Sequence, residues 1–111
     1  MPWFIKTESF TKETLKLLPA KRQEVLLKHK DWVKSLKDLG GKITSGYLVN
    51  ENKLPGGGGL LIVEAESFSE AKFLIEQDPM IVYGLVNWEL HEWIPIFGES
   101  STDLSPGVGI H

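Results

Sequence analysis

RQEVLLKHKDWVKSLKDL, residues 22–39, sets the architecture of this chain. Val25, Leu26, His29, Trp32, Val33, Leu36 and Leu39 recur there at spacings of three and four, the apolar stripe of an amphipathic helix. Gly40-Gly41 follows, and glycine supplies a left-handed C-terminal cap without steric cost, so the helix is expected to end there. On its N-terminal side, Trp3, Phe4 and Ile5, followed by Lys6-Thr7-Glu8, read as a strand of aromatic and β-branched residues. Residues 9–19 form a short mixed stretch that Pro19 interrupts.

Beyond the helix, residues 42–49 carry the β formers Ile43, Thr44, Tyr47 and Val49 and are predicted to be a second strand. Residues 50–59 are expected to be a loop, because Gly56 to Gly59 are four consecutive glycines. That run lacks the spacing of a phosphate cradle and precedes a strand instead of a helix, so it reads as a flexible segment able to close over a pocket. Residues 60–65 are apolar on both alternating faces, as in a strand buried on both sides. Ser67 with Glu70 is a capping box opening a second helix with Ala71, Leu74 and Ile75, which Asp78-Pro79 closes. In the last strand, residues 85–94, Val86, Trp88, Leu90 and Ile94 share one face, and Asn87, Glu89 and His91 the other.

The order is β-α-β twice over, which predicts an α+β domain of ferredoxin-like βαββαβ topology. Its four-stranded antiparallel sheet would carry both helices on one face. The other face then needs cover. The two-sided apolarity of residues 60–63 and the four tryptophans point to a second copy and a twofold homodimer, the alternative being that the aromatics thicken a single core. The domain is expected over residues 1–97, with residues 98–111 a tail that lacks periodicity.

Bulk properties narrow the function classes. At 111 residues, one domain is expected. The absence of cysteine excludes disulfides, thiolate nucleophiles and cysteine metal sites, and fits a cytoplasmic setting. A net charge of −3 argues against nucleic-acid partners, since phosphate neutralisation needs clustered positive charge. No apolar run suits a signal peptide or a membrane span, so no membrane association is expected. His91 with Glu89 would give only two metal ligands, and no cofactor motif is present, so neither metal nor cofactor is expected.

His29 lies within about 40° of Val25, Val33 and Leu36 on the helical wheel, in the middle of the apolar arc. A buried imidazole needs partners for both ring nitrogens. Either His29 is a core histidine bonded to a backbone carbonyl, or it faces a pocket as a working base. Asp78 is equally out of place, sharing a helical face with Ala71, Leu74 and Ile75. It is either a helix-ending Asp-Pro turn or the partner of His29. A carboxylate beside an imidazole orients it, fixes its tautomer and raises its basicity, as a general base requires. Ser45, Tyr47 and Tyr83 are plausible pocket liners.

Taken together, the His29 helix ending at Gly40-Gly41, the strand with Ser45-Gly46, the glycine run and Asp78-Pro79-Met80-Ile81-Val82-Tyr83-Gly84-Leu85 resemble the YciI-like (YCII-related) family of dimeric α+β barrel proteins. The resemblance covers roughly residues 2 to 97 and rests mainly on the Asp-Pro segment. It implies a ferredoxin-like monomer whose sheet packs on a partner's sheet. It also implies a pocket holding His29 and Asp78, with Ser45, Gly46, Tyr47, Tyr83 and Gly84 beside them. One branch of the family performs dehydrochlorination of a chlorinated hydroxyquinol. Where the family often has proline after the strand-two glycine, this chain has Tyr47, and residues 9–22 are longer than the family pattern.

The expectation that follows is a small-molecule enzyme of lyase or hydrolase type, with His29 as general base and Asp78 orienting it. Two alternatives stand beside it: a non-catalytic module binding a small ligand in the same pocket, and a dimerisation domain in which His29 is only a satisfied core residue.

Overall fold

Residues 1–98 are described by a computed structural model of the chain. Its elements are β1 (Trp3–Phe10), α1 (Lys12–Leu15), α2 (Pro19–Asp38), β2 (Ile43–Val49), β3 (Pro55–Glu64), α3 (Phe68–Ile75), α4 (Pro79–Val82) and β4 (Val86–Trp93). The four strands form one antiparallel sheet in the order β2-β3-β1-β4. The path from β1 through α2 to β2 steps over β3, and the path from β3 through α3 and α4 to β4 steps over β1. These interlocked crossovers make the ferredoxin-like α+β fold that the sequence predicts.

Strand alternation sorts the side chains. Phe4 packs with Ala71 and Ile75 of α3, so Phe4, Lys6, Glu8 and Phe10 of β1 point to the helical side. The register then lays out three rows on that side. Ile43, Val63, Phe4 and Glu92 form the first; Ser45, Leu61, Lys6 and Leu90 the second; and Tyr47, Gly59, Glu8 and Trp88 the third. Phe4, Ile43, Leu61, Val63, Ala65, Ala71 and Ile75 make the main core. A second cluster of Val25, Met80, Leu85 and Val86 joins α2 to α4 and β4. The opposite face carries Ile5, Leu60 and Ile62 half-buried at its centre and Leu48 exposed near its edge.

The helix ends follow local chemistry. In α2, Gly40 takes φ 90°, its N–H reaches the Lys37 carbonyl and the Gly41 N–H the Leu36 carbonyl, the paired bonds of a Schellman cap. A β-carbon at Gly41 would come within 2.8 Å of the Leu36 carbonyl oxygen. The Ser67 hydroxyl accepts from the Glu70 N–H at 3.1 Å, opening α3 as predicted.

Several local expectations are corrected. The helix starts at Pro19, not three residues later, because proline's fixed φ and missing N–H suit the first helical turn. The mixed stretch before it contains α1, capped by Thr11. Leu39 lies outside the apolar stripe, at 85% exposure beyond the last turn. The glycine run is not a loop: β3 starts at Pro55, and Gly58 and Gly59 pair with Ser9 and Glu8 of β1. Strand backbones on either side supply the ladder partners, and Gly57 at φ 80° absorbs the irregularity. Gly58 and Gly59 are therefore held in the sheet instead of forming a segment that closes over a pocket. The expected tail lies outside the described residues except for Gly98. Among the described residues, no helix is long and apolar enough to cross a membrane.

Candidate functional site

Asp78 is fully buried, and its position follows from the Asp-Pro pair. Pro79 opens α4, and Asp78 is its N-cap, accepting the Met80 N–H on Oδ1 at 2.9 Å. The residue therefore does not continue the face of α3, which ends at Ile75. Instead, the break before Pro79 aims the carboxylate at the sheet and α2 together. Oδ1 also takes His29 Nδ1 at 2.8 Å, and Oδ2 takes Lys6 Nζ at 2.7 Å.

His29 is held from both sides. Beyond its Nδ1 contact, Nε2 lies 2.8 Å from the Ser45 hydroxyl of β2. A carboxylate can only accept, so Nδ1 carries the proton toward Asp78. In the neutral imidazole Nε2 then presents its lone pair to the Ser45 O–H. The side chain is 13% exposed, between core and solvent. The Trp32 ring lies one helical turn away at 5.8 Å between centroids, and its buried Nε1 has no hydrogen-bond partner among the described residues.

Lys6 extends the chain of contacts. Its side chain is fully buried, with Nζ between Asp78 Oδ2 and Glu8 Oε1, the latter at 2.6 Å. Ser45, His29, Asp78 and Lys6 thus form an arch from β2 to β1, passing over the buried Leu61. Burial alone would raise the Asp78 carboxyl, but the His29 hydrogen bond and the Lys6 charge outweigh it and hold the group below the usual carboxylate range. Asp78 therefore stays ionised beside the imidazole and orients it without taking its proton.

The remaining expected site residues divide. Tyr83 caps α4, and its hydroxyl accepts from Lys28 Nζ at 3.1 Å, on the rim between α2 and α4. Gly84, at φ 68°, makes the Schellman turn after α4 through its bond to the Ile81 carbonyl and that of Leu85 to Met80. It sets the path into β4 without facing the pair. Tyr47 is mostly exposed in the third row. Gly46 pairs with Leu60 and, by alternation, faces away from His29. His91 and Glu89 also lie on that opposite face. Sequence reasoning passed over Lys6 and Glu8 as an ordinary strand end. Their signal was the alternation itself, which sets Lys6 two residues from Phe4 on the buried side.

The fold and this hydrogen-bonded His–Asp arrangement define a ferredoxin-like α+β domain with a polar chain threaded into its helical side. The family model for the YCII-related domain matches residues 3–94, and the chain belongs to that family. Among solved structures, the chain is similar to the 5-chloro-2-hydroxyhydroquinone dehydrochlorinase of Burkholderia phenoliruptrix AC1100, solved in complex with 2,5-dihydroxybenzoquinone. The two share 23% identity over 83% of this chain and 93% of that one, with a TM-score of 0.62. The de novo designed protein Ferredog-Diesel is similar at 15% identity over 82% of this chain and 84% of that one, with a TM-score of 0.54. At these identities both likenesses speak for the fold. No curated protein sequence matches the chain.

Proposed function

We propose that the protein is a small-molecule enzyme of lyase or hydrolase type in which His29 is the general base and Asp78 its orienting partner. The observation that carries this is the His29 Nδ1 to Asp78 Oδ1 contact of 2.8 Å, with Nε2 directed at a hydroxyl. A ligand hydroxyl that displaces Ser45 from Nε2 would give its proton to the imidazole. The released electron pair would then drive departure of a leaving group elsewhere on the ligand. Ser45 would line the pocket at Nε2, with Tyr83 and the exposed Tyr47 at its rim, while Gly46 and Gly84 would shape it only through the backbone paths of β2 and of the turn into β4. The dehydrochlorinase likeness favours a cyclic or aromatic substrate.

The proposal includes a homodimer closed through the open sheet face, supported by the half-buried Ile5, Leu60 and Ile62 at its centre. A cytoplasmic setting is proposed from the cysteine-free composition.

A second reading, a non-catalytic ligand-binding or dimerisation module, is favoured by one observation: both ring nitrogens of His29 already have partners within the chain. Chloride release from 5-chloro-2-hydroxyhydroquinone, measured for wild type and His29→Asn, separates the two. Catalysis predicts a loss of about 100- to 10,000-fold in turnover with the fold intact. An unimpaired variant contradicts the mechanism, and saturable binding without chloride release favours the binding module.

A further inference from the structure

Glu8 stands next to the His29 site and has no part in the base mechanism. Its side chain is 11% exposed, whereas those of Lys6 and Asp78 are fully buried, so it is the end of the charged chain that meets solvent. One of its carboxylate oxygens is tied to Lys6. The residue opposite it on β3 is Gly59, followed across the row by Tyr47 on β2. A β-carbon at Gly59 would lie 3.1 Å from the Gly46 carbonyl oxygen, 3.3 Å from Glu8 Cγ and 3.4 Å from Cδ. The Glu8 side chain therefore lies over the glycine, leaning along the row toward β2. Ser45 stands in the adjoining row of β2, where its hydroxyl meets His29.

We propose that Glu8, tethered by Lys6 and lying over Gly59, is a ligand-contacting residue of this site. It would select ligands that offer a hydrogen-bond donor there, a hydroxyl or a protonated amine, over ligands that offer a carboxylate. The inference rests on the proposed use of His29. Lys6 is the positioning residue, fixing Asp78 and Glu8 with one ammonium. Charge supports the selectivity. Two carboxylates share a single ammonium, so the chain from Glu8 to Asp78 carries a net negative charge when the imidazole is neutral. A carboxylated ligand would meet that charge at short range in a poorly solvated place, whereas a neutral donor would gain a charge-assisted hydrogen bond. The nearby cation Lys28 sits at the exposed rim on the Tyr83 hydroxyl, where solvent screens its charge.

The test titrates the intact protein with catechol and, separately, with benzoate, two rings of similar size that differ in donor and charge. Binding is read from the His29 imidazole NMR signals. Wild type is expected to bind catechol at least about tenfold more tightly than benzoate, the ratio expected for a hydrogen bond to a charged group. Glu8→Gln should erase most of that preference. Glu8→Asp, which keeps the charge but withdraws the carboxylate by one methylene, should weaken catechol binding and serves if the glutamine variant folds poorly. Equal affinities in wild type, an unchanged ratio in Glu8→Gln, or no response of His29 to either ring overturns the proposal. Its failure is separable from that of the base mechanism: His29→Asn can abolish turnover while Glu8→Gln leaves the ratio untouched, and the reverse can hold.

Discussion

Two neighbouring rows on the same side of the sheet are built on opposite principles. Ile43, Val63 and Phe4, under Ala71 and Ile75, form a dry apolar layer. One row further on, Ser45 and Lys6 flank Leu61 and are bridged above it by His29 and Asp78. The first row stabilises by removing carbon from water, at roughly 25 cal/mol per Å². The second places an ammonium and a carboxylate where desolvation costs several kcal/mol per ion, which their pairing at best offsets. An apolar arrangement of the same volume would hold the fold as well, so the polar row needs a reason beyond stability. The proposed work on a ligand supplies that reason.

The contrast can be broken most forcefully in the apolar row. Phe4→Ala should destabilise the domain by about 4 kcal/mol, measured by denaturant unfolding. In the polar row, Asp78→Ala strands Lys6 and removes the α4 cap, with an expected loss of about 3 kcal/mol. Combining Lys6→Met, Glu8→Gln and Asp78→Asn should recover most of that stability while leaving any turnover abolished. If the triple variant is instead as unstable as Asp78→Ala, the row is structural and the contrast fails.

Acid should separate the rows next. The folded Asp78 carboxyl is held below its unfolded value of about 3.9. Its contribution is therefore fully present above that value and lost as pH falls through the lower folded one. Melting temperature should decline below about pH 4, and the decline should be shallower in Asp78→Asn. Smallest of all, Ser67→Ala at the start of α3 should cost about 1 kcal/mol and leave the His29 signals unmoved.

The sequence made the fold legible wherever periodicity or capping was strong. The stripe on α2 from Val25 to Leu36, the Gly40-Gly41 end, the Ser67 cap and the alternation of β4 from Val86 to Leu90 stand as expected, whereas Leu39 and Ile94 lie exposed beyond their elements. It misled at Gly56 to Gly59, where local propensity favours a loop. Two flanking strands instead supply ladder partners, and the Gly46 carbonyl with the Glu8 side chain crowds the space a β-carbon at Gly59 would need. His29 and Asp78 were visible as polar residues at apolar positions. Lys6 was not, because a lysine in a short strand usually points to water, and only the register shows that this one lies beneath Asp78. The orientation of Asp78 was also hidden. It comes from a new helix beginning at Pro79, whereas the wheel assumed the previous helix continued.

The central claim is that Asp78 fixes His29 with its proton on Nδ1 and its lone pair on Nε2. A long-range ¹H–¹⁵N spectrum of the imidazole at neutral pH tests it directly. The account predicts a protonated Nδ1 and an acceptor Nε2 in wild type, with that tautomer preference lost in Asp78→Asn. A proton found on Nε2 in the wild-type protein, or a tautomer indifferent to Asp78, would contradict it.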